Sequence, residues 1–270
     1  MRPLLILTAA MPALILFLVS PNLRRGRMKG WRARLFAHRG LHDPSKGLVE
    51  NTLPAFEAAC RGGYGIELDI QFTRDMQVVV FHDDNLGRLA GDARNVCDAT
   101  LAELRLLPLA GVDAARIPTL REVLDAVDGR VPLLIELKTG RKNAALCQAL
   151  MDHLKGYRGE YIVESFNPLI VRWFRRNAPG VVRGQLVCGR DGYRGAVGAV
   201  PALLMSSLLF NALARPDFIA YDVNAPRFFA PRLQRALFRT PLAAWTVRTP
   251  PLLRQVQARG EIAIFERIEP

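Results

Sequence analysis

Short apolar runs alternate with amphipathic stretches from residue 35 to the C-terminus. Between the runs, apolar residues recur at helical spacing, as in 53–60, 143–155 and 251–259. Eight strand-like units over about 235 residues, alternating with helices, are the number that closes a (β/α)8 barrel. The pattern therefore predicts a TIM barrel, an α/β fold. The eight runs centre near Phe36, Ile66, Ile135, Ile162, Val182, Ile219, Ala244 and Ile264.

One connection between runs is too short to hold a helix. Only residues 72–77 separate the second run from a further apolar run at 78–81, so these two runs are predicted to form an antiparallel hairpin. Such a hairpin pairs position 69 with a residue near 81, which carries His82 back beside Asp69. The stretch that follows mixes Gly, Pro and short helical pieces, and is interpreted as an insertion at about 84–117 at the same end of the barrel.

The chain begins with an uncharged apolar segment at 3–20, followed by a basic stretch. This length is at the lower limit for crossing a hydrocarbon core, and Pro12 can kink a helix there. We expect residues 1–21 to be an uncleaved membrane anchor, 22–34 a basic juxtamembrane linker and 35–270 the barrel domain. The basic cluster follows the apolar run and no Ala-x-Ala type site precedes it, which disfavours the alternative of a cleaved signal peptide.

The net charge of +12 is concentrated beside the apolar segment. Residues 1–34 contain seven basic residues and no acid, which leaves +5 for the rest of the chain. By the positive-inside rule this cluster keeps the barrel in the cytoplasm, whereas a cleaved signal peptide would make the barrel secreted or periplasmic. No predicted helix carries a dense Lys/Arg face, so nucleic acid is not an expected partner.

Two further patterns carry structural expectations. Residues 197–213 are apolar with few charges, which predicts a buried helix rather than one that contacts a membrane. The four cysteines are widely spread and form no Cys-x-x-Cys pair, so they are expected to be buried thiols in a reducing compartment rather than a disulfide framework or a zinc site. They are Cys60, Cys97, Cys147 and Cys188.

Acidic residues interrupt two of the predicted strands. Glu67 and Asp69 alternate along the second run and project to the same side, and Glu136 lies in the third run. Hard divalent cations prefer oxygen ligands, so these three carboxylates predict a site for one Mg²⁺ or Ca²⁺. Without a metal the carboxylates would repel one another, and at least one of them should have a raised pKa.

Histidines and cations follow strands at the same predicted end. His38 and His82 can serve as base and acid because an imidazole titrates near neutral pH. Arg39 and Lys138 supply hydrogen-bond donors for a phosphate anion. A metal, paired imidazoles and cations together predict cleavage of a phosphate ester, in which phosphoryl charge is neutralised and a leaving alkoxide is protonated.

Four other residues have open or lesser roles. Trp245 ends a strand, and either packs on the substrate or belongs to the core. Asn51 is expected to brace the loop after the first strand, rather than only to assist Thr52 in capping the next helix. His42 is expected to be solvated, and His153 to lie on the surface of a helix.

Short motifs occur in order along the chain: His38-Arg39-Gly40, Glu50-Asn51-Thr52, Glu67-Leu68-Asp69, Phe81-His82-Asp83, Pro118-Thr119-Leu120, Glu136-Leu137-Lys138, Ser165-Phe166 and Trp245-Thr246-Val247. Over about 36–265 they resemble the motifs of the glycerophosphodiester phosphodiesterase family. The resemblance implies a β/α barrel with an insertion after His82-Asp83 and a divalent metal on Glu67, Asp69 and Glu136. It also implies that His38 and His82 form an acid/base pair.

The same resemblance implies an activity. Members of that family cleave a glycerophosphodiester to sn-glycerol 3-phosphate and an alcohol. The mechanism usually proposed has the glycerol 2-hydroxyl attack phosphorus, giving a cyclic phosphate that water opens. Two positions depart from the family pattern, since Arg248 stands where members commonly have Asn, and Glu266 follows the last strand where many have Asp. We expect both departures to affect substrate recognition and to lie away from the metal and the histidines.

Two alternatives stay open at this point. If the mouth of the barrel faces a bilayer, the substrate is a lysophospholipid rather than a soluble glycerophosphodiester, and the activity is that of a lysophospholipase D. The chain could instead be a non-catalytic phosphate-binding protein on this fold, although an intact set of two histidines and three carboxylates argues against that role. In each case the expected partners are a small phosphodiester or phosphate and, through the N-terminal segment, a membrane.

Overall fold

Eight parallel strands close into a barrel in the computed structural model, which describes residues 2–24, 26–193, 197–225 and 229–270, with side chains from residue 10 onwards. In chain order the strands are β1 (Leu35–Ala37), β2 (Gly65–Phe72), β3 (Val78–Val80), β4 (Leu133–Leu137), β5 (Tyr161–Ser165), β6 (Arg183–Val187), β7 (Phe218–Asp222), β8 (Leu242–Val247) and β9 (Ile262–Phe265), and all of these except β3 belong to the ring. Because β1 pairs in parallel with both β2 and β9, the ring is closed. The predicted (β/α)8 barrel is confirmed.

Helices alternate with the strands around the barrel, with one helix before the first strand and two short ones in the chain that follows β3. They are α1 (Arg2–Val19), α2 (Leu53–Gly62), α3 (Gly87–Ala90), α4 (Leu101–Leu104), α5 (Leu120–Val127), α6 (Asn143–His153), α7 (Pro168–Asn177), α8 (Ala199–Ser206), α9 (Asn211–Ala214), α10 (Ala230–Phe238) and α11 (Pro250–Ala258). Thr119 and Glu122 form a capping box that starts α5. Thr52 occupies the N-cap position of α2, but its hydroxyl donates to the carbonyl of Val49 instead, so the expected side-chain cap is absent.

The predicted hairpin is confirmed. Strand β3 runs antiparallel to β2, with Ile70 opposite Val80, and the main-chain N–H of Phe81 donates to the carbonyl of Asp69 at 3.0 Å. The chain that follows, including α3 and α4, forms a small apolar core of its own around residues such as Leu104 and Ile117. This packing places His82 at the carboxyl end of the barrel, beside the acidic residues of β2.

The N-terminal linker crosses the opposite end of the barrel. Met28 and Trp31 are buried against Phe36 and Phe218, in the layer of side chains nearest the amino ends of the strands. The guanidinium of Arg27 donates to three consecutive carbonyls just before β6, those of residues 179–181. The linker therefore closes the end of the barrel that lies away from the residues of the predicted site.

The end of the first helix contacts the barrel domain. The carbonyl of Val19 accepts hydrogen bonds from Asn211 at 3.0 Å and from Gln234 at 2.7 Å. Within the described part of the chain, no helix is long and apolar enough to cross a membrane. The segment predicted as an anchor, 1–21, includes residues 1–9, whose side chains lie outside the described part.

The prediction of one buried helix at 197–213 is wrong. The segment forms two short helices, α8 and α9, and the chain between them turns at Leu208, which has a φ of +58°. Val200 is 67% exposed and Leu203 is 42% exposed, because a helix on the outside of a barrel contacts the sheet with one face only. The expectation of buried cysteines is also wrong for Cys97, which is exposed.

Candidate active site

Three buried carboxylates meet at the carboxyl end of neighbouring strands. Asp69 of β2 lies opposite Glu136 of β4 in the sheet register, and Glu67 stands two residues before Asp69 on the same face. One oxygen from each of the three lies within 4.8 Å of the others. Asp69 Oδ1 is buried and accepts no hydrogen bond from any described residue. A compact set of oxygens with an unsatisfied acceptor fits a hard divalent cation.

The charges of the triad are strongly perturbed. Burial, together with the charges of Asp69 and Glu136, raises the pKa of Glu67 well above its ordinary value. Burial also works against ionisation of Asp69, but the charges of Lys138, His82 and Arg39 hold the pKa of that carboxyl below its ordinary range. The raised pKa of Glu67 agrees with the repulsion expected among the three carboxylates when no cation compensates their charge.

Two cations lie against the carboxylates. Lys138 Nζ is 3.0 Å from Glu136 Oε1 and 3.6 Å from Asp69 Oδ1. Arg39 Nε is 3.7 Å from Asp69 Oδ2, and the main-chain N–H of Arg39 donates to Glu67 Oε2 at 2.9 Å. Both side chains therefore lie against the carboxylates that would hold a cation.

A tight turn aims the main chain of Arg39 at Glu67. Arg39 has a φ of +57° and Gly40 a φ of +82°, so two successive residues adopt the left-handed region. A Cβ at position 40 would lie 2.9 Å from a ring carbon of Phe56 and 3.0 Å from the main chain of Ala55. Only glycine fits this combination of φ and close approach.

Asn51 connects this turn to the triad. Its side-chain amide donates to Asp69 Oδ2 at 2.9 Å, and its main-chain N–H donates to the carbonyl of Arg39 at 2.9 Å. The residue is buried and has a φ of +55°, which asparagine tolerates better than most residues. Asn51 thus orients a carboxylate of the triad and the turn after β1 at the same time.

His38 contacts Glu266, a residue that was predicted to lie away from the histidines. Its Nδ1 lies 2.7 Å from Glu266 Oε2, and its Nε2 lies 4.0 Å from Glu67 Oε2. Arg248 Nε is 2.7 Å from the other oxygen of Glu266. The expectation that Arg248 and Glu266 lie away from the histidines is therefore wrong, because β9 is the neighbour of β1 in the closed ring. His42, expected to be solvated, is buried with its Nε2 3.9 Å from Glu266.

Burial lowers the pKa of His38, although the hydrogen bond to Glu266 acts in the opposite direction. Glu266 itself stays ionised, since burial is outweighed by hydrogen bonds, led by that from His38, which hold its pKa far below the ordinary value. An ionised carboxylate only accepts hydrogen bonds, so Nδ1 of His38 carries a proton. Nε2 of His38, the ring nitrogen on the side of the triad, is therefore free to exchange a proton.

His82 is held in the same way at the other side of the mouth. Its Nδ1 lies 2.7 Å from Asp83 Oδ1. The buried amide of Gln71 donates to the carbonyls of Phe81 and Asp83 at 2.8 and 2.9 Å, which fixes the backbone on both sides of the histidine. Both histidines thus form a pair with a carboxylate through Nδ1.

A chain of ion pairs joins the two histidine loops. Arg88 Nε is 2.6 Å from Asp83 Oδ2, and its two terminal nitrogens lie 2.9 and 2.7 Å from the oxygens of Glu50. Glu50 also accepts from Arg39 at 2.7 Å. Arg88 was not predicted as a site residue, because a single arginine in a mixed insertion carries no local signal of a role.

A fourth carboxylate in the barrel was also not predicted. Glu164 of β5 lies opposite Glu136 in the register, is 2% exposed, and its Oε2 accepts no hydrogen bond from a described residue. Burial and the charges of Glu136 and Asp69 raise its pKa well above the ordinary value. The alternation of side chains along β5 could have indicated this residue, since Ile162 and Glu164 share the interior face.

An aromatic wall lies beside the acidic groups. The ring of Trp245 meets Phe166 edge to face at 5.8 Å, and Phe166 meets Tyr193 in the same way at 6.2 Å. The indole Nε1 of Trp245 is buried and has no hydrogen-bond partner among the described residues. Trp245 is therefore part of a packed cluster and still presents an unsatisfied donor, so both readings of this residue have support.

The mouth of the barrel opens onto a cavity of about 410 Å³, lined by residues that include His82, Arg88 and Lys138. The residues that line it are all polar or charged. His153 lies on α6, half-buried and outside this cavity. The site thus combines two oriented imidazoles, a buried acidic triad and three cations, a set suited to general acid/base chemistry on a phosphate ester.

Comparison with known proteins points to the same chemistry. The sequence matches the glycerophosphoryl diester phosphodiesterase family over residues 38–265. A glycerophosphodiester phosphodiesterase of Caldanaerobacter subterraneus is 36% identical over 167 residues, which are 57% of this chain and 67% of that protein. A Bacillus subtilis relative, provisionally assigned the same activity, is 30% identical over 243 residues, 84% of this chain and 90% of the relative.

A solved structure shares the fold. It is that of an Oleispira antarctica phosphodiesterase in complex with the product sn-glycerol-3-phosphate, with a TM-score of 0.69 and 22% identity, and the match covers 88% of this chain and 94% of that one.

Proposed function

Because the chain belongs to the glycerophosphoryl diester phosphodiesterase family, we propose that it hydrolyses a water-soluble glycerophosphodiester to sn-glycerol 3-phosphate and an alcohol. One observation carries the proposal. Two imidazoles, each paired through Nδ1 with a carboxylate at 2.7 Å, stand at the mouth of a barrel whose strands hold three clustered acids. The relatives that share at least 30% identity include proteins with this activity in their names.

The acidic triad is the proposed site of one divalent cation, Mg²⁺ or Ca²⁺. Glu67, Asp69 and Glu136 supply three buried oxygens, and oxygen ligands are those that both ions prefer. A bound cation supplies charge that stabilises the phosphoryl oxygens and lowers the pKa of a hydroxyl beside it. Burial and the charges of Asp69 and Glu136 raise the pKa of Glu67, and a cation held by these three residues would offset the repulsion among them.

The two histidines are the proposed proton carriers. In the first step the glycerol 2-hydroxyl oxygen forms a bond to phosphorus and loses its proton to Nε2 of one histidine, while the bond from phosphorus to the alcohol oxygen breaks and that oxygen takes a proton from the other. Water then opens the cyclic phosphate with the two roles reversed. Glu266 and Asp83 keep each ring in one tautomer and orientation throughout.

Arg39 and Lys138 are the proposed phosphate ligands. Both side chains lie within 4 Å of triad carboxylates and are mostly buried, so they are already oriented without a substrate. Burial opposes the charge on Lys138, but Glu136 and Asp69 keep its pKa above the ordinary value, and the ammonium stays protonated. A phosphate that binds here contacts two cationic side chains that do not have to reorient.

The histidine pair provides the direct test. Replacing His38 or His82 by Ala should abolish nearly all release of sn-glycerol 3-phosphate from glycerophosphoethanolamine, by roughly a thousandfold or more. His153→Ala, on the outer helix α6, is the matched control and should keep full activity. Full activity in both His38→Ala and His82→Ala would refute the proposed roles.

Removal of metal tests the triad. EDTA should abolish turnover, and Mg²⁺ or Ca²⁺ should restore it and raise the thermal midpoint of the chain. In Glu136→Gln the midpoint should no longer respond to either ion. If EDTA leaves turnover and the thermal midpoint unchanged, the triad holds no catalytic cation.

A lysophospholipid substrate is the alternative. The described part of the chain places the N-terminal linker at the amino ends of the strands, opposite the mouth, and this favours a soluble diester. Comparing turnover of glycerophosphoethanolamine with that of lysophosphatidylethanolamine separates the two activities. Faster turnover of the lipid would reverse the assignment.

The N-terminal segment is the proposed membrane anchor, with the barrel in the cytoplasm. The support is the uncharged stretch 3–20 and the basic cluster that follows it. Mass spectrometry of the mature chain from its native cell should find these residues still attached, in the membrane fraction. A mature chain that begins beyond residue 20 would instead indicate a cleaved signal peptide.

A further inference from the structure

A second charged cavity lies at the other end of the molecule from the catalytic mouth. It measures about 480 Å³ and is formed where the end of α1 and the linker meet the loops before β6 and β7. The main-chain N–H of Asn22 donates to the carbonyl of Pro216 at 2.8 Å, just before β7 begins. We call it the arginine cleft, because five arginines line it: Arg24, Arg27, Arg175, Arg183 and Arg215.

The positive charge of the arginine cleft is not balanced. No Asp or Glu is among the described residues that line it. Asp217, the acid that Arg27 and Arg183 contact at 3.0 and 3.6 Å, is buried and also accepts a hydrogen bond from the side chain of Asn22 at 2.6 Å. Four positive charges therefore remain in excess within one cavity, which is the signature of an anion site.

Burial and the charges of neighbouring arginines lower the pKa of two of these guanidinium groups. Burial is the main cause that lowers the pKa of Arg183, and Arg27, Arg175 and Arg24 act in the same direction. Burial and the charge of Arg175 likewise lower the pKa of Arg215. A bound anion would relieve this repulsion, and a phosphate, with several oxygens, suits the forked donors of arginine best.

Apolar side chains surround the same cleft. Phe17, which is 56% exposed, packs under the guanidinium of Arg215 at 4.8 Å, and Leu23 is 66% exposed. One turn before Phe17, Leu14 is also 52% exposed on the same helix. Exposed apolar residues beside clustered arginines are typical of a segment that lies at the boundary between lipid headgroups and acyl chains.

We propose that the arginine cleft binds the phosphate of an anionic phospholipid while the apolar residues of α1 enter the bilayer beside it. The excess positive charge of the cleft favours binding of a phosphate group. The exposed apolar residues beside the cleft favour a lipid over a free phosphate ion. The cleft lies at the amino ends of the strands, so a lipid bound there turns the catalytic mouth towards the aqueous phase. This orientation gives a soluble substrate access to the mouth and holds the barrel against the membrane surface.

Vesicle flotation of the full chain tests the lipid site. One set of vesicles is phosphatidylcholine alone, and in the other part of it is replaced by phosphatidylglycerol. The wild-type chain should partition about tenfold or more in favour of the anionic vesicles. Arg24→Gln combined with Arg175→Gln should remove most of that preference while binding to the neutral vesicles through α1 is kept.

A matched variant controls for net charge. Arg121→Gln combined with Arg254→Gln removes two exposed arginines from α5 and α11, neither of which lines the cleft, and should keep the preference for anionic vesicles. Both double variants should hydrolyse soluble glycerophosphodiester at the wild-type rate. That rate shows that each variant is folded, and it separates failure of the lipid site from failure of the proposed function.

Two results would overturn the proposal. One is an equal loss of anionic preference in the two double variants, which would mean that only overall charge matters. The other is an absence of vesicle preference together with a rise in thermal midpoint caused by inorganic phosphate in the wild type but not in Arg24→Gln/Arg175→Gln, which would make the cleft a site for free phosphate.

Discussion

Glu266, the residue after the last strand, lies 2.7 Å from Nδ1 of His38, the residue after the first, across a separation of 228 positions in the chain. The contact exists because β9 and β1 are neighbours in the closed barrel. It gives His38 a fixed tautomer and a negative partner, the arrangement that Asp83 provides for His82.

The His38–Glu266 contact predicts a loss of turnover. Glu266→Gln should lower kcat on the order of a hundredfold with a smaller change in KM, because Nε2 of His38 is no longer oriented and the charge that supports its protonated form is lost. Glu266→Asp should recover part of the rate. Steady-state assays check this, with the exposed Glu269→Gln as the control, and wild-type kcat in Glu266→Gln would contradict the role.

Arg88 is predicted to position His82 from a distance. Arg88→Ala removes the link between Asp83 and Glu50, so the loop that holds His82 should lose order and kcat should fall roughly tenfold. Arg88→Lys should recover little, because one ammonium cannot bridge both carboxylates as the forked guanidinium does.

The split between kcat and KM, measured at a temperature where each variant is folded, distinguishes this role from a general loss of stability. In Arg88→Ala kcat should fall with little change in KM, whereas Arg105→Ala should change neither constant, since Arg105 forms an exposed ion pair with Glu122. Wild-type kcat in fully folded Arg88→Ala would show that its effect is only structural.

Glu164 is predicted to destabilise the metal-free protein as the pH rises. Burial raises its pKa above the ordinary 4.5, so over the range above that value the unfolded chain releases a proton that the folded chain retains. Unfolding is therefore increasingly favoured with rising pH, by at most about 1.4 kcal/mol per pH unit. Glu164→Gln removes this dependence and should be more stable than the wild type at mildly alkaline pH.

Urea unfolding in EDTA across a pH series measures that difference. The advantage of Glu164→Gln should vanish below the ordinary pKa of a glutamate, where both states are protonated. Glu160→Gln, at an exposed position just before the same strand, controls for the loss of one carboxylate. An advantage that does not depend on pH would mean that Glu164 is not held protonated.

Glu50 is predicted to have the opposite pH dependence. Burial opposes its ionisation, but hydrogen bonds from Arg88 and Arg39 lower its pKa from 4.5 to about 2. Its folded pKa is depressed, so its contribution to stability is present above 4.5 and is lost as the pH falls towards 2. Glu50→Gln should cost about 1 to 3 kcal/mol near neutral pH and almost nothing at the acid end, as measured by urea unfolding.

The sequence by itself determined the architecture. Apolar residues that alternate predict strands, and apolar residues three or four positions apart predict helices. Eight strand–helix units are the number that closes a barrel. The short connection 72–77 required a hairpin because no crossover helix fits in six residues, and the observed pairing of Ile70 with Val80 agrees. The triad was also readable, since Glu67 and Asp69 alternate on one strand and Glu136 ends another.

Only the tertiary structure decided which distant residues complete the site. Glu266 reaches His38 through closure of the ring, Arg88 reaches Glu50 through the fold of the insertion, and Glu164 joins the acids through sheet register. Two predictions from the sequence are wrong. One is that Glu266 lies away from the histidines, and the other is that residues 197–213 form one buried helix. Both errors have one physical reason: local periodicity reports which face of an element is apolar, whereas the neighbours of that face depend on how strands pair and on where the barrel closes.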